Sequence, residues 1–421
     1  MFIKKLEGAI NMDKHHIVAG LDLGTSKVSV VIAEVSPEKK INIIGVGESS
    51  SEGMRHGVVI NLEKTINSIK TAVHDAQVMA GIEIGPICVA VTGEHIKGMA
   101  SKGVISIGSR NEGITNADVE RVRESAKGIA IPTEREIIHT LTQDFIVDNQ
   151  PNIVDPVGLM GMRLEAIIYI ITGSSLALGN IKKAVERAGL VVDMMVIQSL
   201  ASSYAVLDSE EMHQGVCLLD IGGGVTNIAI WYGGSLRDIG LVKLGGEAIT
   251  RDIAMGLATS RTYAEKIKIE KSAAHPSYLD LEEIIEIPGT AGRGPRKINT
   301  EKLYDVVEAR VEEMLDFSYR RIKRSEYAHN LASGLVVTGG CANLKGILEV
   351  GEELFELPMR VGIPTNDLSG MVEAVSSPSF STCVGLIKYT VMDKEENNVK
   401  RIYTSQDTFM DRLKKWISDF F

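Results

Sequence analysis

One pattern occurs twice in this chain, and it fixes the kind of fold available. Residues 16–23 and 27–35 are β-rich runs flanking Gly24-Thr25-Ser26. That spacing predicts a strand, a tight turn and a returning strand. Residues 215–220 and 226–231 flank Gly222-Gly223-Gly224 in the same way. In both places an apolar strand ends in Asp, a hydrophobic residue and Gly: Asp22-Leu23-Gly24 and Asp220-Ile221-Gly222. This weak internal repeat implies two related α/β halves.

A single hairpin of this kind is an ordinary β-turn. Two of them, opening two halves, can face each other and hold one ligand. Glycine lets the backbone come close to that ligand, and successive turn N–H groups can point at phosphate oxygens. The candidate phosphate contacts are Gly24, Thr25, Ser26 and Lys27 on one side. On the other they are Gly222, Gly223, Gly224, Val225 and Thr226. Asp22 and Asp220, at the strand ends, can each reach a Mg²⁺ ion through its water shell. Gly245, Gly246 and Glu247 form a further glycine turn opening a helix, whose N–H groups are expected to face an anion. The apolar strand at 335–338 ends in Gly339 and Gly340, where a flat adenine can approach the backbone; Asn343 completes the candidate set.

The rest of the chain reads as α/β. A third strand follows at 41–47. Residues 61–79 have helical spacing, with Ile66, Ile69, Val73, Ala76 and Met79 on one face. Residues 85–165 read as strand, polar helix and strands, the helix near 117–127 behind a start signal at Thr115–Asp118. An apolar strand at 166–172 and an amphipathic helix at 176–188 lead to the second hairpin. Residues 288–296, rich in Gly, Pro and Arg, read as a surface loop.

The 421 residues carry a formal net charge of −10. That length suggests two or more folding units. The charge argues against nucleic acid as the main partner, since phosphate binding needs a basic face. Cys88, Cys217, Cys341 and Cys383 form no CxxC or CxxH pair, so no zinc site is expected and the thiols read as reduced and cytosolic. The N-terminus has no apolar core of a signal peptide, and no run of about 18 apolar residues spans a bilayer.

The C-terminal end is different. Phe409, Met410, Leu413, Trp416, Ile417, Phe420 and Phe421 fall on one helical stripe. Arg412, Lys414 and Lys415 outnumber Asp411 and Asp419 on the opposite face. Residues 393–407 before it are polar and lack periodicity. A tethered helix with an aromatic stripe and a basic face reads as one that lies in a membrane surface.

Taken together, these motifs resemble the actin, sugar-kinase and Hsp70 ATPase superfamily. Residues 22–27 match its first phosphate motif, 220–226 its second and 336–340 its adenosine motif. The stretch 197–205 resembles the helix linking the two halves in actin, which places Gln198 where a Gln orients the attacking water. Residues 264–268 (AEKIK) resemble the helix whose Glu and Lys approach the ribose, here Glu265 and Lys268; an intrahelical ion pair is the competing reading. Within the superfamily the chain is similar to the FtsA family of bacterial division proteins over nearly its whole length, notably at 53–81, 200–220, 245–268 and 287–296.

The resemblance implies a duplicated actin-like fold of two RNase H-like halves, a small inserted α+β subdomain and a C-terminal amphipathic helix. The expected divisions are 13–84 with 166–203, an insertion at 85–165, 204–244 with 326–390, and 245–325. A linker at 391–407 and the helix at 408–421 follow. The resemblance also implies ATP and Mg²⁺ as ligands and slow hydrolysis at most. The implied partners are the tail of the division tubulin homologue FtsZ, further copies of the chain, other division proteins through the insertion, and an anionic membrane surface. The location implied is the cytoplasmic face of the membrane at the division site. Arg293, Arg296 and Lys297 are the candidate contacts for the FtsZ tail. Family members commonly read DIGGGTTD at the second hairpin; Val225 and Asn227 depart from that, which puts hydrolysis more in doubt than binding. The alternatives are a small-molecule kinase of the same superfamily and an actin-like protein of pilus assembly.

Overall fold

The computed structural model describes residues 16–108, 113–280, 282–288 and 294–393. The expected membrane helix at 408–421, most of the linker before it, and Arg293 lie outside the described residues.

The sequence repeat is a repeat of topology. The first sheet runs in the order Val191–Ile197, Pro86–Val91, His16–Leu23, Lys27–Val35, Ile41–Ser50 and Leu368–Gly370. The second runs Met359–Val361, Leu335–Thr338, Val216–Ile221, Thr226–Tyr232 and Ser235–Val242. In each, the Asp-bearing strand pairs antiparallel with its hairpin partner and parallel with the next strand on its other side. The central strands are buried on both faces, so they read as continuous apolar runs such as Val30–Ala33.

Helices cover those faces. Leu62–Ala80 starts where the Asn61 side chain accepts from the Lys64 N–H and ends on left-handed Gly81. Ile66, Ile69, Val73 and Ala76 are buried as the spacing predicts, whereas Met79 is half exposed at the helix end. The helix lies so close to the sheet that a Cβ on Gly47 would stand 2.0 Å from the Ala72 carbonyl oxygen.

Between the first and second halves sits a four-stranded antiparallel sheet in the order Lys97–Ser106, Arg163–Ser174, Arg135–Val147, Gln150–Ile153. Helix Asn116–Lys127 packs on it, opened by a reciprocal capping box of Thr115 and Asp118. Its hydrogen bonding moves the expected borders of the insertion. Pro86–Val91 belongs to the first sheet, and Arg163–Ser174, read as part of the first half beyond 165, is a central strand of the insertion. Most of that strand is buried, so its apolar run carries no sign of which sheet it joins.

A second border also moves. Leu368–Gly370 pairs with Ile41–Ile43 of the first sheet. In the helix at 381–393, Cys383, Val384, Leu386 and Ile387 are buried in the first half's core, not the second's. The chain therefore crosses between the halves twice, once through helix Gln198–Val206 and once near residue 365.

Candidate functional site

The two glycine turns meet. A Cβ on Gly223 would lie 2.0 Å from Ser26 Oγ, and one on Gly224 would lie 2.4 Å from Thr25 Oγ1. The pairing expected from the repeat is thus a physical apposition of Thr25-Ser26 with Gly223-Gly224. Behind the turns stand Asp22 and Asp220, both at strand ends, Asp220 fully buried and Asp22 partly so. Burial pushes the Asp22 carboxyl up to about 7, with the Asp220 charge adding to the rise and Lys27 opposing it. Burial pushes Asp220 up to about 6, opposed by hydrogen bonds from Ser202, Gln198 and Thr382.

The linking helix holds Asp220. Ser202 Oγ donates to Asp220 Oδ2 at 2.6 Å and lies 3.1 Å from Thr382 Oγ1, which belongs to the returning helix at 381–393. Gln198 and Ser202 are one helical turn apart, so both side chains reach the same carboxylate. Ser202 and Thr382 escaped the sequence reading. The four-residue spacing from Gln198 was a usable signal for Ser202; Thr382 had none, because it comes from the far end of the chain.

Other candidates fall as follows. Lys27 pairs with Glu48, reaches Ser379 Oγ at 3.1 Å and lies 4.5 Å over the Phe380 ring. Val225 is buried, and its carbonyl accepts from the Gly222 N–H. Thr226 Oγ1 donates to the Leu244 carbonyl. Asn227 lies opposite Asp220 across the hairpin, its Oδ1 accepting from Thr92 while its Nδ2 is buried without a hydrogen-bond partner. His56 Nδ1 sits 2.8 Å from the Gly224 carbonyl oxygen, a second-turn contact the sequence did not signal. Gly339 has a φ of 83° and lies beside Asp220, and Gly340 is exposed with open space above it. Asn343 Nδ2 donates to the Gly340 carbonyl at 3.2 Å.

The expected role of the third glycine turn needs correction. The N–H groups of Gly246 and Glu247 do not face open space for an anion: they donate to the carbonyls of Gly222 and Gly223 at 3.0 and 2.8 Å. With Gly245 packed on the same carbonyls, the third turn braces the second. Glu265 and Lys268 make the intrahelical ion pair, at 2.8 Å, and Lys268 also donates to Thr250 Oγ1 and the Gly246 carbonyl. Of the three basic candidates for a partner, Arg296 and Lys297 are exposed on strand Arg296–Asn299, with Arg296 also donating to the Leu257 carbonyl.

Two carboxylates are too few for an all-protein cation cage, and among the described residues no cluster of three or more His, Cys, Asp or Glu could hold a metal. A pair of carboxylates side by side at two strand ends does suit Mg²⁺, which keeps several of its waters.

Comparison with known proteins agrees with this architecture. The family model described as cell division protein FtsA matches residues 217–385, and the model described as the SHS2 domain inserted in FtsA matches 93–172. The second span coincides with the hydrogen-bonded borders of the insertion. The cell division protein FtsA of Pseudomonas aeruginosa is 37% identical over 412 residues, covering 96% of this chain and 98% of that protein. The FtsA of Escherichia coli is 35% identical over 411 residues, covering 95% and 97%. Among solved structures, the PilM–PilN type IV pilus biogenesis complex superposes with a TM-score of 0.62 at 15% identity, covering 88% of this chain and 97% of that one. MreB5 of Spiroplasma citri bound to ADP superposes with a TM-score of 0.55 at 14% identity, covering 91% and 98%. The fold is actin-like, and the chain belongs to the FtsA family of cell division proteins.

Proposed function

We propose that this chain is an ATP-dependent switch that polymerises on the cytoplasmic membrane, anchors the FtsZ ring there and recruits later division proteins. The observation that carries the nucleotide part is the contact of Thr25-Ser26 with Gly223-Gly224 in front of Asp22 and Asp220. Backbone amides of both turns would hold the phosphates, and a chain bridging two halves converts ligand binding into a change of angle between them. Asp22 and Asp220 would hold Mg²⁺ through water, and that ion supplies charge neutralisation along the phosphates. The relatives' actin-like fold, seen in MreB5 with ADP and with AMPPNP, supports the same reading.

Hydrolysis in this reading is slow. Gln198 is engaged with Asp220, and Asn227 offers an amide where a base would stand. The same amide disfavours the kinase alternative, which needs a carboxylate to take a proton from its substrate hydroxyl.

The membrane part rests on residues 408–421. One such helix binds lipid weakly, so attachment depends on many copies acting together. The FtsZ tail docks near Arg296 and Lys297 on the second half, and the insertion contacts other division proteins. Purified protein mixed with anionic liposomes, with and without ATP, tests the whole reading under negative-stain microscopy. Membrane-bound filaments that require ATP support it; bare liposomes under both conditions overturn it.

A further inference from the structure

A cavity of about 290 Å³ lies between the root of the insertion, the start of the linking helix and strand Ser235–Val242. Thr92, Lys97, Gln198, Ser199, Asn227 and Lys243 stand on its lining. No residue of either glycine turn does, so it is a site apart from the one built above.

Its walls carry donors that the fold leaves unused. Asn227 is buried; its Oδ1 accepts from Thr92, while its Nδ2 has no hydrogen-bond partner. A buried donor without an acceptor costs about 1–3 kcal/mol, and a ligand oxygen would offset that. The linking helix Gln198–Val206 begins at the same wall without a side-chain cap, because its N-cap residue is Ile197. The Ile197 N–H is already held by Nε2 of buried His139 at 3.1 Å. The next N–H groups, of Gln198 and Ser199, open the helix at the cavity. The first N–H groups of a helix have no acceptor within it, and its dipole makes that end positive.

The charges point the same way. The cations on the lining are Lys97, Lys243 and Arg321, and the carboxylates are Glu94 and Asp238. Both carboxylates are engaged, Glu94 by Lys243 and Asp238 by Arg321 at 3.0 Å. The lining is therefore positive in a chain whose net charge is −10. Its donors come from separate segments of the chain, so an anion with several oxygens suits it better than a carboxylate with two.

We propose that this cavity binds a small tetrahedral oxyanion such as inorganic phosphate, held by Asn227, the uncapped start of the linking helix and Lys97. The site is additional to the two glycine turns and does not depend on the nucleotide reading.

Radiolabelled inorganic phosphate is titrated against the full chain by equilibrium dialysis, without nucleotide and again with saturating AMPPNP·Mg²⁺. Hydrogen–deuterium exchange resolved to residues 197–206 locates the bound ion. One phosphate per chain should bind under both conditions and slow exchange at Gln198 and Ser199 about tenfold at saturation. Asn227→Asp keeps the side chain's size and its acceptor for Thr92 but replaces the amide donor with a negative charge; it should weaken phosphate binding by about tenfold or more. Lys97→Ala, at an exposed position, should weaken it about threefold. Unchanged protection of the core strand Val216–Ile221 shows that the variants are folded. Equal affinity in wild type and Asn227→Asp overturns the proposal, as does the absence of saturable binding up to about 10 mM phosphate. Binding that AMPPNP abolishes also overturns it, because the phosphate would then sit on the nucleotide's own site. If AMPPNP itself does not bind, the nucleotide reading fails, and the nucleotide-free titration of wild type and the two variants still decides the oxyanion site.

Discussion

Ser202 Oγ donates to Asp220 Oδ2 at 2.6 Å in a fully buried setting, so the helix that joins the halves is tied to the carboxylate of the second hairpin. A change in charge at Asp220 is felt directly by the helix that joins the halves. Thr382 closes the same group from the second crossing of the chain.

Ser202→Ala removes that donor and leaves a buried carboxylate less satisfied. A hydrogen bond to a charged group contributes about 1.5–3 kcal/mol, so the variant should lose that much stability at pH 8, where Asp220 is ionised. At pH 5, below the value of about 6 at which Asp220 titrates, the loss should be smaller. Urea denaturation at the two pH values measures the difference; equal losses would show that the bond to the carboxylate is not the cause.

Asp22 titrates near 7 in the folded, ligand-free protein and near the ordinary value of about 3.9 when unfolded. The folded state therefore binds more protons between those values. Its contribution to stability is complete below about pH 4 and is lost as the pH rises through 7. Asp22→Asn cannot ionise and should flatten the fall in melting temperature between pH 5 and pH 8 by at least about 2 °C. A variant with the wild-type slope would mean that Asp22 is not the titrating group. Nucleotide with Mg²⁺ should lower the same carboxyl, so binding near pH 7 should release protons, measurable as buffer-dependent heat in calorimetry.

Turnover of ATP should stay well below the enzyme median of about 10 per second. Gln198 is engaged by Asp220 instead of being free to orient a water, and Asn227 carries an amide, which is not a base. A steady-state phosphate assay reaching that median would contradict the switch reading.

Much of this was legible in sequence because it is local. The two hairpins, the Thr115–Asp118 capping box and the Ile66–Ala76 face of helix Leu62–Ala80 all arise within a few residues. What was not legible depends on distant pairing. Nothing near Asp144 announces Arg237, and nothing near Asp220 announces Thr382. Strand Arg163–Ser174 is apolar on both faces, so it gave no alternation to assign it to a sheet. The amides of Gly246 and Glu247 looked free because a sequence does not show that the Gly222 and Gly223 carbonyls come to meet them.

Trp416→Glu places a charge in the middle of the aromatic stripe at 408–421. Burying such a side chain contributes roughly 1.5–3 kcal/mol, so liposome association should weaken about tenfold or more. The melting temperature should not move, because the account gives this segment no part in the folded core. A variant that still floats with anionic liposomes would remove the helix from the attachment.

The central claim is that both hairpins grip one nucleotide. Equilibrium titration of a fluorescent ATP analogue in the presence of Mg²⁺, comparing wild type with Asp22→Ala/Asp220→Ala, tests it most directly. The account predicts saturable binding by the wild type and its loss in the double variant, with circular dichroism unchanged. Equal affinity in the two proteins would contradict it.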